Sequence, residues 1–234
     1  MSKNSLPKTK EPIYLDNASS SPIDISVINE MLPFLTDFYG NPSSLHGLGR
    51  KSNIAVSKAR TQISKLIGSR SNEIYFTSGG TESNNLALIG SARLICNLKP
   101  TCKRILISKI EHDSIIETIK FIEKDMEFEI DYVPIEKDGS IDLDIFREMV
   151  SSKTGLISIM IANNEIGTIQ PIRNMVEIAK AKNNETIFHS DAVQALGKIP
   201  INVNDLKIDM MTISSHKING PKGIGALFIK QGIH

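Results

Sequence analysis

Short apolar runs and stretches with helical apolar spacing alternate along this chain. The runs predict strands at 73–77, 104–108, 128–133, 155–162, 186–190, 210–214 and 226–230. The stretches between them predict helices from residue 81, at 113 to about 123, at 142–150, at 172–181 and, as a short turn, at 204–208. Strands that alternate with helices, several of them apolar on both faces, indicate an α/β fold with a mainly parallel sheet and flanking helices.

Two further helices are predicted before residue 73. Apolar spacing places the first at 24 to about 38, with Pro33 as a source of strain. Apolar positions from Ile54 to Ile67 mark the second, and Gly68 is a typical helix end. Residues 1–12 are polar, with lysines and prolines, and predict a flexible arm. The folded domain is therefore expected to span residues 13–234.

Polar residues cluster at the carboxyl ends of five predicted strands. The clusters lie at 79–81, 111–112, 163–165, 189–194 and 214–217. Parallel strands place their carboxyl ends at one edge of a sheet, and ligands of open α/β proteins bind at that edge. The five clusters therefore predict a single binding site.

Lys217 has the most distinctive surroundings of these residues. No other charged residue lies at 210–215, and glycines and a proline follow within 220–225. A loop lysine is usually a solvated surface charge, but a lysine partly withdrawn from water loses preference for its charged form. The amine of such a lysine is available for a Schiff base with an aldehyde cofactor.

Four residues are candidates to bind a phosphate. Gly80 and Thr81 open a predicted helix, whose free N–H groups and dipole favour an anion. The alternative is an ordinary turn in which Thr81 caps the helix. Ser214 and His216 flank Lys217 and can donate hydrogen bonds to the same phosphate, or they are solvated loop residues.

Four more residues have side chains suited to a planar cofactor. The Asp191 carboxylate can keep a pyridine nitrogen protonated, and Gln194 can reach a ring oxygen; the alternative for Asp191 is a turn or cap. His112 can stack on a ring and exchange protons, or it caps a helix. Asn164 lies in a polar stretch that interrupts an apolar run and needs partners or a ligand, unless the stretch is only a turn. The remaining histidines are interpreted as structural or surface residues: His46, His189 and His234.

Composition limits which partners and which cellular location are expected. The 27 basic and 26 acidic residues are balanced, which predicts neither nucleic acid nor a membrane surface as a partner. Cys96 and Cys102 lie close together without CxxC spacing, so neither a disulfide framework nor a metal site is predicted. This cysteine usage fits a reducing, cytoplasmic location. No apolar run approaches the ~20 residues of a membrane span.

Seven motifs follow one another between about residue 12 and residue 233: YLDNASSSP, GNPSSLH, EIYFTSGGTESNNLA, EHDSI, NNEIGTIQPI, HSDAVQALGKIPI and SSHKINGPKGIGALFI. Together they resemble the nitrogenase-type and housekeeping cysteine desulfurases, within the class V aminotransferase group. The resemblance implies the large domain of the type I aminotransferase fold and pyridoxal 5'-phosphate as cofactor. It also implies removal of sulfur from L-cysteine, which leaves L-alanine and an enzyme-bound persulfide. A homodimer and a sulfur acceptor, such as an iron–sulfur scaffold protein, are implied as partners.

The family's site roles carry over to the matching residues. Lys217 would bind the cofactor aldehyde, and His112 would stack on the ring and shuttle protons. Asp191 would pair with the ring nitrogen. The other implied contacts are Gln194 to the ring hydroxyl, Asn164 to cofactor and substrate, and Gly80, Thr81, Ser214 and His216 to the phosphate.

The chain departs from the family pattern after Ile233. There the family continues with a small domain and a mobile loop whose cysteine accepts the sulfur, and Cys96 and Cys102 do not replace that thiol. We therefore expect the cofactor-binding large domain without its small domain, and its own turnover is open. The alternatives are a selenocysteine lyase, another class V enzyme, or a non-catalytic fragment that binds a partner.

Overall fold

A single seven-stranded sheet forms the centre of the structure, which is a computed structural model that describes residues 13–233. The strand order is β1-β7-β6-β5-β4-β2-β3. Only β7 runs antiparallel to its neighbours, and the other adjacent pairs are parallel. The prediction of a mainly parallel α/β sheet is confirmed. The strands are β1 (Ile74–Thr77), β2 (Arg104–Ser108), β3 (Glu129–Val133), β4 (Thr154–Ser158), β5 (Ile187–Asp191), β6 (Met210–Ser214) and β7 (Gly225–Ile229).

Helices cover both faces of the sheet. A separate apolar core lies on each face, and strand β2 contributes to both. Leu106 packs into the first core, and Ile105 and Ile107 pack into the second core on the opposite face. Apolar residues of α3 and α4 complete the second core, and those of α5, α6 and α7 complete the first. Within the described residues the helices are α1 (Ile25–Thr36), α2 (Gly47–Ile67), α3 (Gly80–Leu98), α4 (Asp113–Met126), α5 (Leu143–Met149), α6 (Ile172–Lys182) and α7 (Val203–Leu206).

Two of the predicted element ends near the carboxyl edge of the sheet are wrong. Helix α3 begins at Gly80 and its cap position is Gly79, so Thr81 lies inside the first turn and is not the cap. Strand β4 ends at Ser158 instead of continuing to residue 162. Beyond that point the N–H of Met160 donates to the side chain of Glu111, which follows β2, instead of to a strand carbonyl (3.0 Å). Pairing toward β5 continues, since the Ile161 N–H donates to the Asp191 carbonyl (2.9 Å). The predicted arm at 1–12 lies outside the described residues.

The segment before α1 runs along the carboxyl edge of the sheet. The Ser21 N–H donates to the His216 carbonyl (2.8 Å), and the Asp24 N–H donates to the Asn219 carbonyl (2.9 Å). Helix α1 contains Pro33, as the sequence indicated, and none of its residues is buried. Among residues 13–233 no helix has the length and apolar character needed to cross a membrane.

Candidate active site

A cavity of about 330 Å³ lies at the carboxyl edge of the sheet. Its size falls within the range of small-molecule sites. Strands β1, β2, β4, β5 and β6 end there, so the five polar clusters meet as expected. The nine residues predicted for the site all line this cavity: Gly80, Thr81, His112, Asn164, Asp191, Gln194, Ser214, His216 and Lys217.

Asp191 forms the buried end of this cavity. It is the last residue of β5 and is only 6% exposed. Its Oδ2 accepts from the Asn84 side-chain amide and its Oδ1 from the Val193 N–H, both at 2.8 Å. Burial raises the pKa of Asp191, while these hydrogen bonds and the positive charge of Lys217 oppose the rise. A cationic group in the cavity would therefore stabilise the carboxylate further.

Lys217 lies across the cavity in the 3-10 turn Ser215–Lys217 that follows β6. Its amine donates to the carbonyl oxygens of Ala18 (2.5 Å) and Ser19 (2.8 Å). Partial burial, with the nearby charge of Lys198, lowers the pKa of this amine. The uncharged, nucleophilic form is thus more accessible than for a lysine in water.

The start of α3 and the end of β6 form a region suited to an anion. The first N–H groups of a helix have no partner within the helix, and Gly80 and Thr81 supply them here. The Ser214 hydroxyl is buried and has no hydrogen-bond partner among the described residues. A Cβ on Gly80 would come within 3.0 Å of Val193 Cγ2, so a side chain there would crowd the cavity. These features fit a phosphate group.

His112 and Gln194 combine a structural contact with a place in the cavity. The His112 side chain caps α4, since its Nδ1 accepts from the Ser114 N–H (3.1 Å), as the capping alternative predicted. The Gln194 amide donates to the Ala18 carbonyl (2.7 Å). Asn164 also lines the cavity.

The other histidines of the described chain have structural roles. His189 is fully buried, with Nδ1 at 2.9 Å from Ser158 Oγ and Nε2 at 3.0 Å from Thr212 Oγ1. Burial lowers the pKa of His189 to about 3, so this ring is neutral. His46 caps α2. His234 lies outside the described residues.

Sequence reasoning missed the Asp16–Ser19 segment and Asn84. The segment contributes the carbonyl oxygens that hold the Lys217 amine, and Asp16 also lines the cavity. Backbone carbonyls carry no sequence signal. Asn84 had a weak signal, because it occupies the buried face of α3 together with Ala87 and Leu88, where a polar side chain needs a partner.

The sequence pattern indicated Glu111 only as part of the polar cluster at 111–112. It is 7% exposed, and its Oε1 accepts from Ser108 Oγ (2.6 Å) and the Met160 N–H (3.0 Å). Its Oε2 is buried and has no partner among the described residues. Burial raises the pKa of Glu111 to about 8, and the nearby Asp191 charge adds to the rise. Glu111 is therefore a neutral acid at neutral pH.

Comparison with known protein families identifies the family of this chain. The profile of the class-V aminotransferases matches residues 13–234. The chain belongs to this family. The cavity of this class-V aminotransferase chain therefore lies in the part that the family profile covers.

Curated relatives of this class-V chain are named cysteine desulfurases. The cysteine desulfurase IscS of Dictyoglomus turgidum is 48% identical over 223 residues, which cover 95% of this chain and 55% of that protein. The cysteine desulfurase IscS of Methanosarcina thermophila is 45% identical, covering 94% of this chain and 53% of that protein. The chain thus spans about half the length of the curated relatives it matches.

Solved structures of the same kind share the fold. A NifS-like protein superposes with a TM-score of 0.88 at 40% identity, covering 92% of this chain and 58% of that one. SspA, solved in complex with cysteine, superposes with a TM-score of 0.86 at 38% identity, covering 92% and 60%. The α/β fold of a class V large domain, expected from the sequence motifs, is confirmed.

Proposed function

We propose that this chain is the pyridoxal-phosphate-binding domain of a cysteine desulfurase, with Lys217 as the residue that binds the cofactor aldehyde. One observation carries the proposal: a lysine amine with a lowered pKa, a buried carboxylate and a free helix start line one cavity. These are the three groups that an aromatic aldehyde bearing a ring nitrogen and a phosphate requires. The similarity to named cysteine desulfurases supports the same conclusion.

Each of the nine predicted residues then has a defined task. Asp191 would pair with the ring nitrogen, and Gln194 would reach the ring hydroxyl. His112 would stack on the ring and handle a proton, and Asn164 would contact cofactor and substrate. When bound, pyridoxal phosphate supplies an electron-accepting ring that weakens bonds at the substrate carbon. The phosphate would be held by Gly80, Thr81, Ser214 and His216.

The proposed substrate rests on the names of the relatives, and the proposed partners rest on the family resemblance of the sequence motifs. We infer L-cysteine as substrate because the relatives are named cysteine desulfurases and SspA was solved with cysteine. The sulfur then passes to an acceptor such as an iron–sulfur scaffold protein, and the protein acts as a homodimer. Comparing L-alanine release from L-cysteine and from L-selenocysteine distinguishes this reading from a selenocysteine lyase. A cytoplasmic location stays a prediction, since one relative is named as mitochondrial.

Covalent trapping tests the cofactor assignment. The chain is incubated with pyridoxal phosphate and reduced with borohydride, and peptide mass spectrometry then locates the adduct. We expect a single modified lysine, Lys217, and no specific adduct in Lys217→Ala. Lys230→Ala is the matched control, because Lys230 is exposed and directly follows β7, whose end lies at the opposite edge of the sheet. Equal labelling of the wild type and Lys217→Ala would refute the assignment.

A further inference from the structure

A continuous set of hydrogen bonds joins Asp191 to His112 along the cavity wall. The Asn84 side-chain amide donates to Asp191 Oδ2 (2.8 Å) and also to Ser114 Oγ (2.9 Å). Ser114 Oγ in turn lies 2.7 Å from His112 Nδ1. Asn84 is almost fully buried and Ser114 is 9% exposed at the cavity wall, so solvent competes only weakly for these bonds. Asn84 and Ser114, which have no task in the proposed function, thus connect Asp191 with His112.

The donors in this set determine which ring nitrogen of His112 carries the proton. The Ser114 backbone N–H can only donate, and it points at His112 Nδ1 (3.1 Å). The Ser114 hydroxyl accepts from Asn84, which leaves its own proton to donate to the same Nδ1. With two donors directed at it, Nδ1 is an acceptor. The neutral ring therefore carries its proton on Nε2, which makes no hydrogen bond with any residue of 13–233.

We propose that Ser114 and Asn84 are positioning residues that fix the His112 ring as the Nε2–H tautomer and link its orientation to Asp191. The proposal deepens the proposed function and rests on it for its meaning in the reaction. His112 presents a donor to the cavity, while its Nδ1 is reserved for the start of α4. A neutral histidine at a helix start that acts as a hydrogen-bond donor has a precedent in triosephosphate isomerase.

The link also constrains the proton that His112 can take up. A proton added at Nδ1 would face the Ser114 N–H, which would then lose its acceptor at the first turn of α4. The Ser114 hydroxyl would have to rotate so that it accepts from Nδ1 as well as from Asn84. Proton exchange at His112 is thus tied to Ser114.

Nitrogen NMR of the cofactor-free chain tests this proposal. The chain contains five histidines, which are labelled with ¹⁵N, and His112→Gln identifies the resonances of His112. We expect a protonated Nε2 and an unprotonated, hydrogen-bonded Nδ1 in the wild type. In Ser114→Ala the backbone N–H still donates to Nδ1 but the hydroxyl donor is lost, so the Nδ1 resonance should shift toward a nitrogen with fewer hydrogen bonds. Ser114→Thr keeps the hydroxyl and should restore the wild-type spectrum.

Two results would overturn the proposal: a wild-type His112 that carries its proton on Nδ1, or a Ser114→Ala spectrum identical to the wild type. A purely structural Ser114 would lower the thermal midpoint of Ser114→Ala without shifting the Nδ1 resonance. If Ser114→Ala fails to fold, the wild-type and Ser114→Thr spectra still decide the tautomer. Since no cofactor is added, failure of Lys217 to bind pyridoxal phosphate would leave this result unaffected.

Discussion

The two sides of the cavity are held in different ways. On the buried side, Asp191 is fixed by the Asn84 amide and the Val193 N–H, which belong to a helix and to the turn after a strand. On the open side, Lys217 is held by two backbone carbonyl oxygens of a segment almost 200 residues earlier in the chain, with a separation of 199 for Ala18. We therefore expect chemistry and stability to be coupled on the buried side and nearly separate on the open side.

The largest expected effect is at Glu111, which is buried near the Asp191 charge. Glu111→Gln should raise the free energy of unfolding relative to the wild type, because glutamine cannot ionise in this buried place. The folded-state pKa is raised to about 8 from 4.5, so the folded protein keeps a proton that the unfolded chain loses between these values. The wild type should therefore lose stability as pH rises through this window, by about 1 kcal/mol per pH unit.

Urea unfolding at several pH values measures this difference. Wild type and variant should converge near pH 4.5 and separate up to pH 8, above which the difference should stay constant. Parallel curves across the whole window would show that Glu111 is not a buried neutral acid in the folded chain.

Asp191→Ala should give the next largest effect. The substitution leaves the Val193 N–H and one bond of the Asn84 amide without an acceptor in a buried place. We expect a loss of about 2 kcal/mol in the free energy of unfolding, together with loss of pyridoxal phosphate binding. Urea unfolding and a cofactor titration measure the two effects.

Asp191→Asn is the matched variant that separates these effects. It removes the charge but keeps one acceptor oxygen for Val193. The Asn84 Oδ1, which has no partner among the described residues, can turn toward the new amide. Stability should stay within about 1 kcal/mol of the wild type, while cofactor affinity falls. If Asp191→Asn keeps the wild-type affinity for the cofactor, the Asp191 charge has no role in cofactor binding.

The smallest expected change in stability is at Lys217. Lys217→Ala removes contacts to two backbone carbonyls at a partly exposed position, so the free energy of unfolding should change by no more than about 0.5 kcal/mol. The same variant should lose all covalent attachment of the cofactor. A destabilisation as large as that of Asp191→Ala would show that the open side is also a structural element, which would contradict the comparison above.

Helix α1 and Thr81 show how far local patterns reach. The apolar spacing of α1 correctly predicted a helix, but none of its residues is buried within the described chain, so the pattern did not identify what α1 packs against. The hydroxyl of Thr81 suggested a cap, yet the preceding glycine takes that position. Both cases reflect the same limit: spacing and propensity report local conformation, and packing depends on distant residues.

Apolar patterning was enough to predict the seven strands, apart from the end of β4, the mainly parallel α/β fold and the sheet edge that carries the cavity. It could do so because apolar runs mark buried strands and parallel strands place their carboxyl ends together. Which groups meet at that edge depends on how distant parts of the chain pack together. Asn84 and Asp191 are 107 residues apart, and the carbonyl oxygens that hold Lys217 belong to no motif of side chains. Burial also depends on packing between distant parts of the chain. The pKa of Glu111 is raised because the folded chain encloses its side chain, and not because of its neighbours in sequence.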